Sequence, residues 1–191
     1  MVYPRQAHPI LLIGVVGALS ACSPSPPNTS AASAAGGRHD HTPSAASPVP
    51  DRARLAAIKQ ATARFQTRDA ALAEGYAQFR GCFNNPGVGA MGVHFANQSL
   101  IDDPAIDPLR PELLVYEPRA DGTFELVALE YFVVRSAWHA TGERELPALL
   151  DRRFEPGELD GLPPYYALHV WLWRDNPLGT FAPWNPAVSC T

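Results

Sequence analysis

The chain has 191 residues and carries 15 Lys+Arg against 19 Asp+Glu, a formal net charge of −4. Self-repulsion against a polyphosphate argues against nucleic acid as a partner. Nearly all the basic residues are arginine, which reads as genome composition and not as function.

The first residues, "MVYPRQAHPILLIGVVGALSAC", hold one positive charge, Arg5, then an uncharged run from Ile10 to Leu19, then small residues before Cys22. That pattern predicts an export signal, too short for a comfortable membrane span. Its end, "LSAC", resembles the lipobox of bacterial lipoproteins, which implies a signal peptide of residues 1–21 and acylation of Cys22 by palmitate-type chains. An ordinary secretory signal cleaved nearby is the alternative. Acyl chains contribute roughly 0.8 kcal/mol per buried methylene and would hold the chain on a membrane without a spanning helix. Ser23 stands where an inner-membrane retention aspartate would be, so the expected location is the cell envelope, at the outer membrane where a cell has two.

Residues 22–50 continue as "CSPSPPNTSAASAAGGRHDHTPSAASPVP", almost all Ser, Ala, Pro and Gly without an aromatic ring. Such a segment cannot bury enough surface to offset its ordering entropy and reads as a tether of about 30 Å r.m.s. span. His39 and His41 flank Asp40 within it, a solvated patch or a weak metal site. The remaining residues, 51–191, are expected to form one globular domain.

From Asp51, placed to cap a helix after Pro50, Leu55, Ile58, Thr62, Phe65, Asp69, Leu72, Tyr76 and Phe79 follow steps of three and four and draw one stripe. Asp69 interrupts the stripe, which predicts two helices in series, broken near residues 66–69 and ending around Gly75. After Gly81 the texture changes to strands: "MGVHFAN", an Asp-Pro-rich loop, then "ELLVYEP" and "FELVALEYFVV" joined through the Asp121-Gly122 turn as a hairpin. Residues 136–164 read as irregular, with a short helical turn at "LPALL", before the last strand, "YYALHVWLW", and a proline-rich tail. The expected class is α+β: two N-terminal helices packed on a curved antiparallel sheet of at least four strands, with long Pro/Gly-rich loops.

The strands are apolar on more than one side, unlike an antiparallel sheet with one wet face. In the last strand Tyr166, Leu168, Val170 and Leu172 make a plain core face, while Tyr165, His169, Trp171 and Trp173 make an aromatic one with polar handles. The second face must be covered by sheet curvature, by loops or by a partner subunit, and each creates a pocket or an interface.

Gly87, Gly89 and Gly92 formally match GxGxxG, but a strand follows where a dinucleotide site needs a helix, so turn glycines are expected. Asn97 begins a glycosylation sequon that an exported bacterial chain does not use. Asp102, Asp103 and Asp107 fit ordinary Asp-Pro turn chemistry better than calcium ligation. His94, Glu130 and His169 stand out, because each lies mid-strand among apolar or small residues. A carboxylate between Ala128 and Phe132 is costly to bury unless it is paired or holds a cation. Two histidines and a carboxylate make a recurrent open site for one divalent metal, zinc or iron. Ala90, Gly92 and Ala96 on the face of His94 would leave room for a ligand, and His139 is a further candidate as fourth ligand or lid. The competing readings are a metal-free polar pocket, or structural roles in which Glu130 pairs with Arg135 or Arg174.

With Cys22 lipidated, Cys82 and Cys190 have one possible pairing in an oxidising compartment, a disulfide tying the C-terminus to the start of the globular region. There is no CxxC arrangement to suggest a redox role.

The stretches "GYAQFRGC", "MGVHFAN", "PELLVYEP", "LVALEYFVV" and "LHVWLWRDNPLGTFAPWNPAVSC" together resemble a group of exported bacterial proteins and lipoproteins in which MGxH, EYF, HVW and NPxGxFAPxNPxVxC occur in this order. The likeness covers roughly residues 65–191 and implies neither an activity nor a fold. It falls on His94, Glu130, His169, Cys82 and Cys190. Two functional expectations follow from the residues. One is a lipid-anchored envelope protein with a His/Glu/His metal site in a small pocket. The other is a non-enzymatic ligand-binding or protein-interaction module, small molecule or homo-oligomer, using Trp171, Trp173, Phe181 and Trp184 without metal.

Overall fold

The computed structural model describes residues 49–190; the signal, Cys22, the His39–His41 patch and the tether up to residue 48 lie outside the described residues, and the last two residues assigned to the tether open a helix. Helix α1 (Val49–Thr62) runs into a 3-10 turn (Ala63–Gln66) and a six-residue α2 (Arg68–Ala73). Asp51 sits in the first turn of α1, not at its cap, because the helix begins two residues earlier. Strand β1 (Tyr76–Asn85) then starts directly after Gly75, so Tyr76 and Phe79, counted on the helical stripe, belong to the sheet. The remaining elements are β2 (Gly89–Asn97), α3 (Gln98–Ile101), β3 (Leu113–Pro118), β4 (Phe124–Val134), α4 (Arg135–Ala140), β5 (Ala148–Leu149), β6 (Arg152–Arg153), β7 (Glu155–Gly157) and β8 (Tyr165–Trp171).

Six strands form one curled antiparallel sheet in the order β1-β2-β3-β4-β8-β7, and β5 and β6 make a separate hairpin. The "LPALL" segment is therefore extended, not helical: Leu150 and Asp151, at φ of 53° and 57°, form a tight turn whose twist suits a two-residue hairpin. The β3–β4 hairpin turns at Asp121-Gly122 as the sequence predicts. The Asp121 carboxylate accepts from Thr123 N, and Arg119 N donates to Thr123 O.

One sheet face packs on the helical segment. Ile58, Phe65 and Ala71 join Val93, Phe95, Leu114, Tyr116 and Leu129 in a core, with the buried Tyr116 hydroxyl donating to Phe65 O at 2.6 Å. The C-terminal tail is stitched against the strands. Ala90 and Asn185 exchange two backbone hydrogen bonds, Trp171 N donates to Thr180 O, and the Cys82–Cys190 disulfide closes a loop with a sequence separation of 108.

These contacts explain the small side chains of β2. A Cβ on Gly92, at φ +112°, would lie 2.6 Å from Tyr116 O of the neighbouring strand, and one on Gly89 would lie 2.5 Å from the Asn185 backbone. Gly89 admits the tail and Gly92 admits β3, while Ala90 is fully buried against Val115, Trp171 and Val188. The expectation that Ala90, Gly92 and Ala96 clear space for a ligand is thereby overturned: Gly89 and Gly92 clear space for backbone, and none of the three residues lines the cavity described next.

Candidate metal centre

His94 comes from β2, Glu130 from β4 and His169 from β8. Glu130 and His169 are directly opposed, which sets their Cβ atoms about 5 Å apart. His94 pairs with Val115 of β3, and Val115 with Ala128 of β4, so His94 stands one strand and one diagonal step from Glu130 on the same face. In a flat sheet β2 and β8 would be about 14 Å apart, three spacings of roughly 4.8 Å, and upright side chains would stay that far apart. Their imidazole Nε2 atoms lie 3.5 Å apart, so the curl makes this face concave.

The cluster is tight and buried. His94 Nε2 is 3.2 Å from Glu130 Oε2, and His169 Nε2 is 3.9 Å from the same oxygen. The three residues are 3%, 7% and 6% exposed in chain order, and among the described residues they are the one group of three or more such side chains able to share an ion. A triangle with these sides has its centre about 2.1 Å from each corner, inside the bond range of zinc to nitrogen and carboxylate oxygen. The rings are fixed from outside: His94 meets the edge of Phe83 at a centroid distance of 5.1 Å, and His169 stacks on Trp171 within 16° of parallel. His94 Nδ1 is buried with no hydrogen-bond partner.

Burial would raise the Glu130 carboxyl, but the neighbouring His169 and the hydrogen bond from His94 outweigh it and hold it below the usual carboxylate value. Burial, only partly opposed by Glu130, lowers His169. Divalent metals require ionised carboxylate and neutral imidazole ligands, and both shifts run in that direction.

The arginine-paired alternative for Glu130 does not hold. Arg174 binds Glu117 at 2.7 Å and reaches Glu125, and Arg135 lies over the Tyr166 ring. His139 is no fourth ligand: its ring nitrogens face Glu143 O and the Tyr166 hydroxyl. Asp103 and Asp107 each accept a backbone N–H two residues on, as turn residues do, and Asn97 accepts from Ser99 N to start α3.

The cluster opens onto a cavity of about 390 Å³. Phe181 and Trp184 line it, whereas Trp171 is buried with its indole N–H donating to Ala182 O, and Trp173 packs with the helical core beneath Lys59. Phe181 and Trp184 thus share the cavity, while Trp171 and Trp173 serve other places.

The structure adds a further buried carboxylate, Glu112. Glu112 is 2% exposed, its Oε2 accepts from Phe132 N at 2.9 Å, and burial pushes its carboxyl up to about 8. It stands just before Leu113, the first residue of β3, and takes up a β4 donor beyond the end of that strand. Its place between "RP" and an apolar strand was the available signal, but that pattern equally fits a solvated strand start. Comparison of the chain with protein-family models, curated protein sequences and solved structures gives no match.

Proposed function

We propose that His94, Glu130 and His169 hold one divalent ion, zinc or iron, whose open positions face the cavity, and that the protein binds or acts on a small molecule there. The observation that carries this reading is the triangle of 3.2, 3.5 and 3.9 Å made by one carboxylate oxygen and two imidazole nitrogens, all buried. Two histidines and one carboxylate leave positions free for water or ligand, as a reactive or ligand-binding centre needs and a closed structural site does not. In the same proposal the chain is exported and held at the envelope by acyl groups on Cys22, which the lipobox-like "LSAC" supports. Cobalt(II) substitution of the purified full chain tests the site. A visible ligand-field absorption that disappears in Glu130→Ala is expected, and a colourless protein after cobalt loading contradicts the proposal.

A metal-free binding module is the second reading, and one observation favours it. Metal-bound imidazoles usually donate from their second nitrogen, yet His94 Nδ1 has no partner. That reading predicts ligand binding and a melting temperature that both ignore chelator, or a stable oligomer that buries the aromatic rings.

A further inference from the structure

The cavity is chemically lopsided. Rings of Phe79, Phe83, Phe132, Tyr165, Phe181 and Trp184 line it together with aliphatic side chains, and among the described residues no lysine or arginine does. Its carboxylates are Glu130 at the cluster and Glu155 and Glu158, both exposed at the mouth. A second anion entering the cavity would leave water without meeting a cationic side chain, at a desolvation cost no lining group offsets. A polyhydroxylated molecule fares no better, because its hydroxyls would face aromatic walls and remain unpaired. Flat apolar molecules gain on both counts, stacking on the rings and burying area.

Two features show that the wall is built and not incidental. Tyr165 stacks on Phe132 with centroids 4.6 Å apart, and a Cβ on Gly157 would lie 2.2 Å from the Tyr165 ring, so a glycine is what allows the ring its position. Another part of the wall arrives with the tail, where Phe181 and Trp184 are carried between the Trp171–Thr180 bond and the Ala90–Asn185 bridge.

We propose that this cavity takes an uncharged aromatic molecule of one or two rings, with its single oxygen or nitrogen donor facing the His94–Glu130–His169 cluster. The orientation of the donor rests on the metal reading above; the choice of an uncharged aromatic body rests on the walls alone.

The test uses the full chain loaded with zinc, its metal content measured on the same sample, and calorimetric titration with 2-naphthol, 2-naphthalenesulfonate and glucose. A Kd of about 100 µM is expected for 2-naphthol, given the ligand efficiency of small molecules. The sulfonate should bind at least tenfold more weakly, and glucose should give no heat. Ala167→Leu, which narrows the cavity beside Phe132, should weaken 2-naphthol at least tenfold while the metal content stays that of the parent. If that variant does not fold, the probe series on the unaltered chain decides alone. Sulfonate or glucose binding as tightly as 2-naphthol overturns the assignment, as does zinc-loaded protein that ignores 2-naphthol at millimolar concentration. Protein that takes up no zinc on loading yet keeps the preference for 2-naphthol sinks the metal reading and leaves the ligand class standing.

Discussion

Replacing Cys190 by serine removes the covalent tie between the tail and β1 without changing the size of either side chain's neighbours. The bridge spans a sequence separation of 108, and the chain-entropy relation for a loop near 100 residues assigns it about 4.7 kcal/mol, through restriction of the unfolded chain. The folded tail keeps other anchors: the paired hydrogen bonds of Ala90 with Asn185, the burial of Val188 to 5% exposure, and the bond from Ser189 N to Glu117. These act in the folded state and do not replace the lost restriction, so Cys190→Ser should lower stability by about 4 kcal/mol. For a domain of this size that is a fall in Tm of roughly 12 °C. Differential scanning calorimetry of oxidised parent and variant reads it directly, and reduced parent should melt with the variant. A fall of less than about 3 °C would refute the reasoning, because the unfolded chain would then be restricted by something other than the disulfide.

Gly92→Ala should cost about 3 kcal/mol or more, since its Cβ would meet Tyr116 O at 2.6 Å in a backbone conformation that disfavours side chains. A denaturant midpoint close to that of the parent would contradict the close approach. Glu112 makes stability pH-dependent: its folded carboxyl titrates near 8 against an ordinary 4.5, so the unfolded chain loses that proton first. The contribution is full below pH 4.5 and is lost as pH rises to 8, on the order of 4 kcal/mol. Glu112→Gln should flatten that slope in urea titrations at pH 5 and pH 8, and an unchanged slope would remove Glu112 as its source. For the metal, excess chelator should lower Tm by roughly 8 °C, the equivalent of about 2.7 kcal/mol for an ion at a hundredfold its Kd.

What was legible in the sequence was local. The Asp121-Gly122 turn announces its hairpin, alternation marks β2, β4 and β8, and a glutamate between Ala128 and Phe132 asks for a partner wherever the strand lies. The common face of His94, Glu130 and His169 was readable, but their convergence was not, because β3 lies between His94 and Glu130 and only the curl of the whole sheet closes that gap. The start of β1 was hidden because Phe79 pairs with His94 while Cys82 pairs with Val93, and Arg80, at φ 61°, sits in the bulge between them. Two inserted residues destroy the period of two and leave a spacing that imitates a helix. The Leu150–Asp151 turn was equally silent, since neither residue is a usual left-handed one. The small residues of β2 were visible, but their meaning was not. Whether a missing side chain makes room for a ligand or for another strand depends on contacts with Tyr116 and Asn185, distant in the chain.

The central claim is that three side chains from three strands share one ion, and the metal content of the purified full chain tests it most directly. The account predicts close to one zinc or iron per chain by elemental analysis, and loss of that metal in His94→Ala, Glu130→Ala and His169→Ala alike, each checked for folding by circular dichroism. Folded parent protein that takes up no divalent ion from solution would contradict it.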